Sequence, residues 1–268
     1  MTVLFLTFMI ILDYTFHNSF STPLAFGTLR GMDKSRSTIS TMFDRIASRY
    51  DLLNRVLSFG IDRSWRKQMI RLFPSKRPLT VLDIATGTAD VPVMMADILG
   101  PTSFSHIVGG DISQHMLDVG RGKVRSKGLS HLIRLEIADA TQLHFQDASF
   151  DVVTIAFGIR NVSQTEKALQ EFFRVLTPGG KAFVLEFSMP KNIFIRMGYL
   201  AYFRYILPFV GGLISQDFGA YRYLNKSVED YYSPDAFIEM MTRSGFQNVS
   251  RKIFCFGVAS LYSGDKVS

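Results

Sequence analysis

The sequence predicts a doubly wound α/β fold, a largely parallel, Rossmann-like sheet with helices on both faces. From Leu79 onward, short β-rich runs alternate with stretches whose apolar residues recur at helical spacing. The runs are apolar throughout rather than alternating, as strands covered by helices on both faces must be. The first run ends in a turn of small residues, Ala85-Thr86-Gly87-Thr88-Ala89, where a doubly wound sheet places its ligand.

In chain order the predicted strands are 79–84, 106–110, 133–138, 152–157 and 181–187. Helices are expected at 91–99, 114–126 and 164–176. Residues 192–232 break the alternation. They are dense in aromatics, and the strongly apolar part carries Arg196, Arg204, Pro208 and Gly211-Gly212, which argues against a spanning helix. This segment reads as an insertion covering the sheet's carboxyl edge, a lid. A helix at 234–244 follows, with Ser233 as N-cap and Gly245 as stop. Strands at 249–254 and 258–262 bring the total to seven.

Ahead of the sheet, residues 38–73 read as a helical cap interrupted at Ser58-Phe59-Gly60. Arg63, Arg66, Lys67 and Arg71 fall on one face of its second piece. That face suits anionic lipid or is a solvated basic surface. Residues 1–37 read as an extension, disordered or preceding the true start at Met32. Their apolar run, 1–12, is short of the roughly 20 residues that span a bilayer. It has neither a basic flank nor a small-residue cleavage site. The main domain is therefore set at 38–268.

With 268 residues, 47% hydrophobic and 20% charged, the chain is globular. One cysteine, Cys255, excludes a disulfide framework and fits a buried small side chain. The five histidines show no ligand spacing, so no metal is expected. A net charge of +7 is compatible with nucleic acid, anionic lipid or acidic substrates. No zinc, RRM or KH signature is present, and nucleic acid is not the expected partner.

The turn after the first strand has a single glycine, Gly87, where a dinucleotide site needs G-x-G-x-x-G to approach a pyrophosphate. It suits a ligand without phosphates. S-adenosylmethionine is one, with an amino-acid end, a ribose and an adenine. Asp111 ends the second strand, where a carboxylate accepts ribose hydroxyls. Asp139, with Ala140, ends the third, placed for the adenine amino group. Asp83 can hold the turn and the ligand's ammonium. Each Asp alone reads equally as a loop or cap residue. Their combined placement at successive strand ends points to the cofactor.

Three stretches resemble the ubiquinone/menaquinone biosynthesis C-methyltransferase family, a class I methyltransferase family. They are Phe43-Asp44-Arg45 through Leu53-Asn54 with Trp65-Arg66, then Phe157-Gly158-Ile159-Arg160-Asn161-Val162, and Arg174 through Gly180 continuing to Ser188. The resemblance spans roughly residues 38 to 264. It implies C-methylation of a polyprenyl quinol, most often demethylmenaquinol to menaquinol, alternatively the methoxy-benzoquinol of ubiquinone synthesis. It also implies cofactor positions at Thr88, Asp111, Asp139 and Ala140. The chain departs from the family at Asp62 (usually His), Ala156 (often Ser), Leu53 (usually Met) and Ala89 (usually Gly).

The quinol ring is then the nucleophile, and alignment with water exclusion carries most of the acceleration, up to about 7–11 kcal/mol. Arg160, after the fourth strand, is expected to stabilise the developing phenolate; otherwise it pairs with a carboxylate and holds its loop. Tyr50 and Asn161 complete the catalytic set as pocket wall, with Asp51 beside them, and Glu186 caps a helix or orients Arg160. The partner surface includes the membrane, reached from the cytoplasm at the inner membrane face. The oligomeric state, a homodimer included, is left open. A non-catalytic S-adenosylmethionine-binding protein is the rival from a different class.

Overall fold

The computed structural model describes residues 41, 44, 58, 60–75, 78–202, 204 and 227–267. The extension 1–37, Tyr50, Asp51 and most of the insertion lie outside the described residues.

The elements run α1 (Ile61–Ile70), β1 (Leu79–Ile84), α2 (Asp90–Leu99), β2 (Phe104–Asp111), α3 (Gln114–Ser126), β3 (Ile133–Ile137) and β4 (Phe150–Ala156). Then come α4 (Thr165–Val175), β5 (Leu176–Phe187), α5 (Ile193–Ala201), α6 (Pro234–Arg243), β6 (Gln247–Phe254) and β7 (Ala259–Asp265). The seven strands form one sheet in the order β3-β2-β1-β4-β5-β7-β6. The first five are parallel, and β7 is antiparallel to both neighbours. The order reverses between β1 and β4, and the crevice outside that reversal is where such sheets bind ligands.

Residue parity along each strand builds two cores. Leu79, Val81, Val152, Phe183 and Leu185 face α1, α2 and α3, meeting Trp65, Met69, Met95 and Leu117. Leu82, Ile84, Val153, Ile155 and Val184 face α4 and α6, meeting Leu169, Phe172, Phe237 and Met241. Both faces of the central strands are apolar because both are covered. The edge strand β6 is largely exposed and carries Arg251 and Lys252, a charge pattern that discourages edge-to-edge pairing.

Two local differences from the sequence reading have physical causes. β5 starts at Leu176, five residues before the expected 181. Its Pro178-Gly179-Gly180 reads as a turn but is a bulge inside the strand, with Gly179 at φ 79° and a register shift opposite Phe150–Val152. On α1, Arg63, Lys67 and Arg71 are exposed, but Arg66 is buried. Its Nη1 pairs with Asp62 at 2.9 Å and lies 3.7 Å from Asp90. The basic face is therefore three residues wide, and Arg66 belongs to the interior.

Candidate active site

The carboxyl ends of β1, β2 and β4 border an open cleft of about 870 Å³. Gly87, Asp111, Met116, Ala138, Asp139, Ala140, Gly158 and Asn161 are among its lining residues. The backbone crowds here: a Cβ on Gly158 would stand 2.4 Å from Ala85 Cβ, and one on Gly110 2.7 Å from Ala138 Cβ. Small residues are required to bring four strand ends this close. The turn after β1 is tightly wound, with left-handed φ at Ala85 (52°), Gly87 (56°) and Ala89 (63°). Ala89 occupies a conformation that glycine adopts without the roughly 1–2 kcal/mol penalty of a Cβ. It stands where the resembling family usually has glycine.

Asp111 closes β2. Its Oδ2 accepts from Gly87 N at 2.8 Å and its Oδ1 from Ser113 N at 2.9 Å. Burial raises its pKa, and the backbone N–H groups of Ser113, Gly87 and Ile112 oppose that rise. One carboxylate thus ties the β1 turn to the start of α3 on the rim of the cleft. Asp139 sits just past β3 and also borders the cleft; its Oδ1 accepts from Thr141 N (2.9 Å) and Oγ1 (2.7 Å). Ala140 lines the same wall, and Asn161 lines the side below β4.

Asp83 and Thr88 occupy a second layer behind that rim. Asp83 is fully enclosed, with Oδ1 accepting from Thr154 Oγ1 (2.6 Å) and Oδ2 from Thr86 Oγ1 (2.7 Å). Burial pushes its pKa up to about 6, against the hydrogen bonds of Thr154 and Thr86 and the positive charge of Arg66. It holds the turn, as expected, from behind the lining residues. Thr88 is buried and accepts from Lys123 Nζ at 3.1 Å. Lys123 also pairs with Asp90, so a charge network of Arg66, Asp90 and Lys123 underlies the turn.

Arg160 follows β4 in a short 3-10 turn and points to a different place from the cleft lining. Its Nη1 donates to Glu186 Oε1 at 2.7 Å and to Phe157 O at 2.5 Å. Glu186, wholly buried, also accepts from Arg160 N (3.2 Å) and Phe187 N (2.8 Å). The guanidinium stacks over the Phe187 ring at 5.4 Å. Of the two sequence readings of Arg160, pairing with a carboxylate is the contact present, and Glu186 orients it. Tyr199 and Tyr231 lie within electrostatic reach of this pair, and burial holds both phenols above the usual tyrosine range.

Sequence reasoning missed Ser113 and Met116, and it placed Arg66 on a surface face. Ser113 caps α3, accepting from Met116 N, and its hydroxyl donates to Asp44 Oδ1 at 2.5 Å, joining the N-terminal cap to the cofactor wall. The signal was available: Ser113 directly precedes the helical pattern at 114. Of the family departures, Asp62 is absorbed structurally, accepting from Ser58 Oγ at 2.6 Å besides pairing with Arg66.

The sequence model of the ubiE/COQ5 methyltransferase family matches residues 31–266. The chain belongs to the ubiE/COQ5 methyltransferase family. It is 47% identical to a demethylmenaquinone methyltransferase of Thermus thermophilus over 225 residues, 84% of this chain and 100% of that one. It is 43% identical to a ubiquinone/menaquinone biosynthesis C-methyltransferase of Geobacter sulfurreducens, covering 89% of this chain and 92% of the relative. Among solved structures, a SAM-dependent methyltransferase from Aquifex aeolicus superposes with a TM-score of 0.56 at 16% identity, covering 87% of this chain and 99% of that one. The [4+2]-cyclase SpnF does so with 0.60 at 17%, covering 87% and 97%. At such identities the superpositions establish the architecture alone. As a ubiE/COQ5 methyltransferase, the chain is an enzyme whose methyl donor is S-adenosylmethionine. The cleft fits that donor. Its wall joins apolar residues suited to an adenine (Met116, Ala138, Val162) to two carboxylates, with backbone close enough for direct contact.

Proposed function

We propose that this ubiE/COQ5 methyltransferase methylates a ring carbon of a polyprenyl quinol, converting demethylmenaquinol to menaquinol. The observation that carries the substrate class is the 47% identity across the whole length of the Thermus thermophilus demethylmenaquinone methyltransferase. The Geobacter sulfurreducens relative, named for both quinones, favours a second reading in which a methoxy-benzoquinol is also accepted.

When bound, S-adenosylmethionine supplies an electrophilic methyl group on a sulfonium. The chain's residues do the rest. Asp111 and Asp139 bind the donor's ribose and adenine, and Gly87 lets it approach backbone. Asp83 supplies negative charge from behind the turn, toward the ammonium. Asn161 borders the same cleft and orients the acceptor ring. Arg160, held by Glu186 and Phe157 O, fixes the turn that carries Asn161 and would reach the quinol oxygen only by leaving that pair; an arginine stays protonated and stabilises phenolate rather than acting as base. Tyr50 contributes from the cap. The long prenyl chain of the substrate suits an enzyme working against the inner membrane face from the cytoplasm.

Quinone mass spectrometry after expression in a strain lacking this methylation tests the reading. A gain of one methyl on demethylmenaquinone is expected. Soluble protein with no change in any quinone overturns it. Arg160→Lys, which keeps the charge but loses the forked contacts, is expected to lower kcat at unchanged cofactor affinity; unchanged turnover removes Arg160 from the reaction.

A further inference from the structure

Parallel strands β1, β2, β4 and β5 all end at the edge of the sheet that holds the cofactor cleft. β7 runs antiparallel to β5, with Phe187 opposite Ala259, so the β6–β7 corner lies at this same edge. Two segments meet there. The corner, Cys255–Gly257, packs on the chain leading into α5: Ser188 N donates to Val258 O (3.0 Å), and a Cβ on Gly257 would stand 3.3 Å from Pro190 Cα.

Both segments present large apolar side chains to solvent. On the first turns of α5, Phe194 is 78% exposed and Ile193 and Met197 are 58% exposed, at spacings that share one helix face. At the corner, Phe256 is 61% and Ile253 56% exposed. Isolated exposed hydrophobics are ordinary, but five of them on two segments that pack together at one edge of the sheet suit an interaction surface. The corner is also strained. Cys255, Phe256 and Gly257 have consecutive positive φ values of 44°, 57° and 102°. An aromatic residue in left-handed backbone is disfavoured, and here it holds a phenylalanine outward into water.

The charge around these side chains is mostly basic, although Lys191 lies 3.6 Å from Asp235 and Arg204 pairs with Glu229 at 2.8 Å. From Lys191 to Arg204 the chain contains Lys191, Arg196 and Arg204 and no acidic residue; from Gln247 to Gly264 it contains Arg251 and Lys252 and none. α1, whose Trp65 stacks on Phe254 at 6.0 Å, carries exposed Arg63, Lys67 and Arg71. Apolar tips amid basic residues are complementary to an anionic bilayer, where apolar side chains enter the acyl boundary and cations meet headgroups. We propose that α5 and the β6–β7 corner dock this enzyme on an anionic lipid surface, with Phe194 and Phe256 as the inserting side chains. The proposal rests for its purpose on the quinol reading, because a polyprenyl substrate resides in such a bilayer and the docked edge is the one that opens to the cofactor.

The test is cosedimentation of the full chain with vesicles of phosphatidylcholine mixed with phosphatidylglycerol, and with phosphatidylcholine alone. Binding to the anionic vesicles, weakened by salt, is expected. Phe194→Ser combined with Phe256→Gly is expected to lower that affinity about tenfold or more. Phe256→Gly alone lowers affinity without lowering Tm, because glycine relieves the left-handed strain; a residue important only for folding would not separate the two. Variants that bind vesicles like the parent overturn the proposal. So does a parent that binds neither vesicle, or one whose oligomer dissociates in the variants, since a second copy would then cover the patch. Turnover on a water-soluble short-chain quinol without vesicles should survive in the variants. Its absence in the parent would defeat the quinol reading while leaving the vesicle result to stand or fall alone.

Discussion

At the carboxyl ends of β1 and β2, Asp111 accepts from two backbone N–H groups and still borders an open cleft. Three strands from Asp111, at the end of β5, Glu186 is sealed off and accepts from the guanidinium and backbone of Arg160 and from its own neighbour Phe187. The first carboxylate is balanced by neutral dipoles, so a bound ligand meets real negative charge beside the cleft. The second is balanced by a full cation, so the pair as a whole is nearly neutral and stiff. In the proposed reading, one region attracts the cationic donor and the other fixes the turn beside which the acceptor is aligned. A methyl transfer between a sulfonium and an electron-rich ring needs both: charge where the donor sits, and alignment where the acceptor enters.

Separating these roles calls for variants on each side. Removing the sealed carboxylate has the largest effect. Glu186→Ala leaves Arg160 buried without its counter-charge and is expected to destabilise the fold by about 3–5 kcal/mol in urea denaturation. Cofactor affinity of the folded fraction should hardly change; a loss of affinity as large as the loss of stability would merge the two regions into one. Asp111→Ala is expected to do the reverse. Loss of a charge-assisted anchor for the ribose and of the Gly87 tether should weaken S-adenosylmethionine about a hundredfold by calorimetry, with a smaller change in stability.

Asp83 gives a pH signature that belongs to the cofactor side alone. Its carboxyl is raised to about 6 by burial. The folded state therefore holds this proton more tightly than the unfolded state. The stability it lends is present below the ordinary carboxyl value of 3.8 and is lost as pH rises through about 6. Donor binding runs the other way, since the cationic ligand favours the ionised form: affinity should fall about tenfold for each pH unit below 6. A flat affinity between pH 7 and pH 5 would remove Asp83 from donor binding. The smallest effect is expected from Thr154→Val, which deletes the hydroxyl that donates to Asp83 Oδ1. It should cost about 1 kcal/mol and move the pH midpoint upward. A downward move would contradict the role given to that hydrogen bond.

The same contrast explains what the sequence made legible. Strand runs apolar on both faces and helices with clear periodicity are local patterns. Leu79–Ile84 and Gln114–Ser126 were accordingly placed to the residue. Gly87, Asp111, Asp139, Ala140 and Asn161 were legible as cleft residues because a doubly wound sheet puts the residue after each strand on its ligand edge. Depth was not legible. Nothing local distinguishes Asp111 on the rim from Asp83 behind it, because that depends on Thr154 from β4 reaching across the sheet. Arg66 read as surface because helical spacing aligned it with Arg63 and Lys67; a long-range partner, Asp90, and the neighbouring Asp62 draw it inside. The partner of Arg160 was equally a tertiary matter: β4 and β5 must pair in register before Glu186 arrives beside it. Tyr50 and Asp51 lie outside the described residues.

Amide hydrogen exchange with and without S-adenosylmethionine tests the division between the two regions most directly. The donor is expected to slow exchange at Gly87, Ser113 and residues 138–141 while leaving residues 186–199 nearly unchanged. Protection confined to 186–199, or none anywhere at saturating donor, would contradict the placement of the methyl donor against the Asp111 wall.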